Sequence, residues 1–187
     1  MTTGYQIKEQ DALYFVTLQI VDWVDVFTRP IYRDIVIDSL KYCMRYKELQ
    51  VFAYVIMSNH VHLVVHSIKA DLSGTIRDFK KYTSKKIVET IQVIPESRRE
   101  WMLNRFCYNA GKHSRNERYQ VWTHENHAIH LYSNKFIADK IEYIHNNPVK
   151  ALLVQHPEDY LYSSARNYAS LSSVLDIEPL ILPVITV

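Results

Sequence analysis

Hydrophobic and polar positions alternate with a period of two through "LYFVTLQIV", where Tyr14, Val16, Leu18 and Ile20 are interleaved with Thr17 and Gln19, so a strand is predicted there. The period then lengthens. Tyr32, Val36, Leu40 and Cys43 fall on one face at helical spacing, which predicts an amphipathic helix over residues 31–47. "VFAYVIM", residues 51–57, is a short apolar run rich in β-formers, Ser58 and Asn59 form a turn pair, and "HVHLVV", residues 60–65, alternates again. Together these read as a β-hairpin. Residues 71–91 place Leu72, Ile76, Phe79, Thr83 and Ile87 on one stripe with the lysines off it, and Asp71 is positioned to cap that helix. The order so far is β-α-β-β-α. A last strand from "YQVWTHENHAIHLY", residues 119–132, would complete a ferredoxin-like βαββαβ unit: an α+β domain with an antiparallel sheet and helices on one face. Four polar residues interrupt that stretch. Residues 92–118, with Pro95 and mixed charge, are expected to be a loop-rich insertion. Residues 134–146 form a further helix that Pro148 ends or restarts. The apolar tail at 171–187, with two prolines, is expected to pack on the core or on a partner subunit.

Composition narrows the function classes. A chain of 187 residues with 48% hydrophobic content is long enough for one domain with a sizeable core. No apolar run reaches the roughly 20 residues needed to span a bilayer, and the first residues lack the apolar segment of a signal peptide. Two cysteines, Cys43 and Cys107, make neither a disulfide framework nor a zinc spacing, so a reducing, cytoplasmic setting is expected. Three glycines rule out a P-loop or a dinucleotide fingerprint. Net charge is only +2, yet residues 74–119 carry eleven basic side chains against five acidic ones. Arg77, Lys80, Lys81 and Lys85 in that segment are candidates for phosphate contact, with a solvated helix face as the competing reading.

The chemistry-bearing feature is "HVH". On a strand, His60 and His62 point to the same face with their backbones roughly 6–7 Å apart, and neutral imidazoles there can converge on one ion. Two ligands need a third donor, water or substrate oxygen to complete the shell. His66 shares the face but lies two strand repeats from His62, about 13 Å away, and is a poor third ligand.

The strand "MSNHVH", followed in order by "TIRDFKKYTSKKI", "VWTHENHAIHLYS", "YIHNNPVK" and "PEDYLYSSARNY", resembles the single-tyrosine HUH transposases of the insertion-sequence 200 type, and most nearly their REP-associated tyrosine transposase branch. The resemblance covers about residues 8–168. It implies a ferredoxin-like fold and cleavage and rejoining of single-stranded, hairpin-containing DNA through a 5′-phosphotyrosine. It also implies a divalent ion, Mg²⁺ or Mn²⁺, on His60 and His62, with Tyr143 as nucleophile and Asn147 as third ligand.

The residues themselves leave choices open. Tyr143 and Asn147 share a helical face at i and i+4, but Pro148 disfavours helical geometry at Asn147, which could be a cap instead. Tyr82, among lysines on a helix, is a rival nucleophile among fourteen tyrosines. Lys140, one turn before Tyr143, could meet a phosphate or be solvated. Trp101, Tyr108, Tyr119 and Trp122 could stack bases or fill the core. His124, His127 and His130 are read as hydrogen-bonded or exposed rather than as a metal site. The alternative to an enzyme is a nucleic-acid-binding module that has lost catalysis, against which the joint presence of His60, His62, Tyr143 and Asn147 argues. Related enzymes are monomers or dimers, so a homodimer is compatible with the chain.

Overall fold

The computed structural model describes residues 6–112 and 118–182. Four strands, β1 (Tyr14–Gln19), β2 (Leu49–Ile56), β3 (His60–Ser67) and β4 (Ile129–His130), form one antiparallel sheet in the order β2-β3-β1-β4. Helix α1 (Pro30–Tyr46) follows β1 and α2 (Leu72–Val93) follows β3, which is the expected βαββαβ arrangement. The Asp71 side chain accepts the Gly74 amide and caps α2.

Register sets the two faces. Thr17 stands opposite His62 and Leu18 opposite Val61, so Phe15, Thr17, His60 and His62 share one face, while Val16, Leu18, Ile20, Val61 and Leu63 share the other. The second face is fully apolar and buried. It receives α2 through Trp122, which is bridged to Ile20, packs on Phe79 and donates its indole N–H to Thr83 Oγ1. Trp122 is therefore a core residue and not a base platform, because its one polar atom is satisfied inside.

Residues 92–118 are not loop-rich as expected. Helix α3 (Arg99–Gly111) occupies most of the segment, with Met102, Phe106 and Ala110 buried at four-residue spacing. That narrow stripe satisfies the core while the remaining positions mix charged Arg99, Glu100 and Arg105 with exposed Trp101, Cys107 and Tyr108. The last part of the expected insertion, 113–117, lies outside the described residues.

The final strand is shorter than the stretch 119–132. Its partners still run antiparallel along β1: Val21 N–H bonds Val121 O, Thr123 N–H bonds Gln19 O, Thr17 N–H bonds Asn126 O, and Phe15 pairs with Ile129. The polar residues between Thr123 and Ala128 break the ladder as an irregular excursion, leaving two strand residues and one bridge.

The other sheet edge is covered too. Ser163 bridges Val55, Ile56 N–H bonds Tyr162 O and Ser164 N–H bonds Tyr54 O, so the segment after α4 (Asn134–Lys150) lies along β2. Of the tail, Leu175 is buried and Val174, Ile177 and Leu180 pack against this chain's own core, beside the short helix α5 (Ala165–Tyr168). Residues 183–187 lie outside the described part.

Candidate active site

His60 begins β3 and His62 follows on the same face, and their rings lie 4.6 Å apart between centroids. Each ring is oriented by its Nδ1. The Asn59 side-chain oxygen sits 2.7 Å from His60 Nδ1, while the same amide's nitrogen faces Trp23 O at 3.4 Å. An amide oxygen only accepts, so His60 Nδ1 carries the proton and Nε2 keeps its lone pair. Thr17 Oγ1 lies 2.9 Å from His62 Nδ1 and can accept from it in the same way. Neither Nε2 hydrogen-bonds protein among the described residues. Phe15 stacks on the His62 ring at 5.2 Å.

Burial holds both imidazoles in the neutral form. His62 is pushed down to about 3, first by desolvation and then by the charges of His60 and Lys140; His60 is lowered by desolvation. Two neutral imidazoles with their outer nitrogens bare are the donor set a divalent transition or alkaline-earth ion can use, and the orienting partners are those a ligating histidine needs. Among the described residues no group of three His, Cys, Asp or Glu is placed to hold a metal ion.

Helix α4 crosses this face. Ser133 caps it by accepting the Phe136 amide, and Ile141, Ile144 and Pro148 form its buried stripe. Tyr143 lies on the flank of that stripe, 39% exposed, with its ring 5.3 Å from His62 and 5.9 Å from Phe15. Asn147 is one turn further on and inside the helix, not a cap as the Pro148 argument allowed. The Ile144–Pro148 burial keeps the turn helical, and Ala151 N–H closes on Asn147 O beyond the proline. The Asn147 side chain makes no hydrogen bond among the described residues.

Two ammonium groups lie near the phenol ring. Lys140 and Lys150 each place Nζ 5.5 Å from the Tyr143 ring centroid, and Lys140 also lies over Phe15 at 4.8 Å. Lys150 was not among the residues singled out from the sequence. Its signal was there: seven residues after Tyr143 is two helical turns. Thr17 and Asn59 were likewise missed, because one looked like a strand's polar position and the other like a turn.

The remaining candidates divide. Tyr82 is exposed on α2, a helix of the opposite layer, and makes no ring contact with the histidine pair. Lys80 turns inward: its ammonium donates to Thr123 O at 2.6 Å and Asn126 Oδ1 at 2.8 Å, and burial draws it down to about 8. It anchors the irregular edge segment and is not presented to a phosphate. Arg77 pairs with Asp78 and Lys85 with Glu89 on the exposed surface, and Lys81 is exposed without a hydrogen bond or ion pair among the described residues. His66 is turned to Gln50 on β2 at 2.9 Å, away from the pair. Trp101 and Tyr108 are exposed and Tyr119 is half-buried.

The family model described as "Transposase IS200 like" matches residues 21–147, well over half of the chain and including His60, His62, Tyr143 and Asn147. The chain belongs to the IS200-like transposase family. The IS200-like transposases are DNA-cleaving and rejoining enzymes, and this member shares the fold of a solved REP-associated tyrosine transposase bound to a REP hairpin. The alignment with that structure has a TM-score of 0.64 at 15% identity and covers 100% of this chain and 99% of that one. A candidate transposase from Deinococcus radiodurans R1 aligns with a TM-score of 0.42 at 13% identity, over 78% of this chain and 97% of that one, too low to establish a shared fold. No curated protein matches the sequence. Among the described residues of this transposase no helix is long and apolar enough to cross a membrane.

Proposed function

We propose that this transposase cleaves and rejoins single-stranded DNA flanking a hairpin through a 5′-phosphotyrosine on Tyr143. The observation that carries the reading is the 5.3 Å packing of the Tyr143 ring on His62 within one chain. The hairpin as substrate class draws on the structural relative, whose DNA is a REP hairpin.

The Tyr143 hydroxyl would attack the scissile phosphorus and give up its proton to solvent. A P–Oη bond forms as the bond from phosphorus to the 3′ oxygen breaks, and that oxygen leaves as a 3′-hydroxyl after taking a proton. The phosphodiester's energy is kept in the phosphotyrosine, so a 3′-hydroxyl can reverse the step and join strands without a nucleotide triphosphate. Lys140 and Lys150 supply positive charge close to the phenol, where negative charge builds on nucleophile and phosphate. Phe15 and His62 wall the ring and limit its rotation. His60, His62 and Asn147 would hold the ion, Mg²⁺ or Mn²⁺. When bound, such an ion polarises the phosphate and stabilises the leaving oxygen.

The test uses labelled single-stranded hairpin oligonucleotides with Mg²⁺ or Mn²⁺ and looks for a protein–DNA adduct that survives denaturation. Tyr143→Phe should abolish the adduct and leave binding intact. His60→Ala should weaken cleavage and metal affinity together. An adduct unchanged in Tyr143→Phe would refute the nucleophile. Binding without any adduct, across metals and hairpins, would mean a binding module on the same fold.

A further inference from the structure

Between β1 and α1 the chain passes through a 3-10 turn, Val21–Trp23, in which two consecutive non-glycine residues are left-handed: Asp22 at φ 51° and Trp23 at φ 55°. L-residues with side chains rarely adopt that conformation, and it persists only where surrounding structure over-determines it. Here it is held from both sides. The Asp22 carboxylate accepts from Asn109 Nδ2 on α3 at 2.7 Å and lies 4.0 Å from the Arg105 guanidinium. Trp23 O faces the Asn59 amide, the group that orients His60. The neighbours Val21, Val24, Val26 and Phe27 are all buried.

The result is an indole turned outward from a turn anchored by buried Val21 and Val24 on either side. Trp23 is 61% exposed, with its ring 6.4 Å from His60 and nearly perpendicular to it at 81°. Tryptophan is the side chain that gains most from burial, so its display next to the two imidazoles, by a strained and cross-braced backbone, is a feature with a ligand-shaped purpose.

We propose that Trp23 is a stacking platform for the nucleobase next to the scissile phosphate. This rests on the nucleic-acid reading of the site and deepens it. An indole face takes any base and reads no sequence, so the platform would fix the position of the strand over His60 and leave recognition to other residues. Because Asn59 contacts both Trp23 O and His60 Nδ1, a base seated on the indole and a phosphate over the imidazoles are held by one local structure.

The experiment uses the Tyr143→Phe, Trp101→Phe protein, in which chemistry is blocked and Trp23 is the remaining exposed indole, since Trp122 is buried at 3%. The probes are a hairpin oligonucleotide with single-stranded oligothymidylate flanks and the same hairpin with abasic flanks of equal length and charge. Anisotropy of a label on the DNA reads binding, and tryptophan emission reads stacking. Thymidylate flanks should quench the emission and abasic flanks should not. Trp23→Ala should weaken binding of the thymidylate probe about 5- to 150-fold and leave the abasic probe unchanged, with Trp23→Phe in between. Equal binding of the thymidylate probe by Trp23→Ala and its parent, or tight binding with no quenching, would overturn the platform. If the parent binds neither probe, the nucleic-acid reading falls and the platform with it. If the base-dependent loss appears but the Tyr143 protein forms no adduct, the platform stands and the cleavage reading fails.

Discussion

At the scale of single residues, the site is defined less by the two histidines than by what turns them. Asn59 and Thr17 each occupy an Nδ1 and leave an Nε2 bare. Outer partners of this kind typically contribute 10- to 100-fold to metal affinity. Thr17→Val and Asn59→Leu should therefore each weaken Mn²⁺ binding by about 10- to 100-fold, measured by calorimetry, with thermal unfolding of the metal-free protein little changed. Equal affinity in both variants would show that the imidazoles are oriented by packing alone. The histidine pair itself was legible, since a period of two puts both rings on one face. Thr17 was not, because it meets His62, 45 positions further along the chain, only once both strands are folded into register. Trp23 was hidden for a different reason: nothing in a local pattern distinguishes an indole facing out from one facing in.

At the scale of elements, α4 is pinned beside Tyr143. His145 Nε2 lies 2.9 Å from Ser164 Oγ, which also accepts the Tyr54 amide of β2, and the His145 ring packs on Tyr168. Burial pushes His145 down to about 4, so the ring bonds as a neutral group. His145→Ala should destabilise the fold by about 1–3 kcal/mol, read by urea unfolding, and should lower the adduct yield more than the unfolded fraction explains. A variant with full stability and full activity would show that the clamp is dispensable. Lys80 does a comparable job for the edge segment beside β1, and Lys80→Met should cost about 1–3 kcal/mol because it strips the donor from two carbonyl-type oxygens. The elements with strong periodicity, from β1 to α2 and the start of α4, were readable within a few residues. Helix α3 was not, since buried Met102, Phe106 and Ala110 are interleaved with exposed Trp101, Cys107 and Tyr108, which blurs the stripe, and the end of α4 was not, since a proline's local preference yields to burial of Ile144 and Pro148.

At the scale of the molecule, the excess of positive charge in residues 74–119 overstates what is available to DNA. Arg98 is tied to Asp25, Arg99 to the carbonyls of Ile91 and Ile94, and Lys80 to the edge segment. Counting charges along the chain could not separate these from Lys81, which faces solvent. If Lys81 contacts phosphate, Lys81→Ala should reduce the salt slope of hairpin binding by about 1, whereas Lys80→Met should leave it unchanged. An unchanged slope in Lys81→Ala would mean that the exposed α2 surface lies away from the strand, and a reduced slope in Lys80→Met would mean that Lys80 leaves its carbonyl partners to meet a phosphate.

The contact of Tyr143 with His62 within a single polypeptide has a consequence for how such molecules behave in company. Under the proposed chemistry each copy carries a whole set of tools, so turnover per molecule should not rise with protein concentration. A mixture of Tyr143→Phe and His60→Ala proteins should be as idle as either alone, because neither can lend the other its intact half.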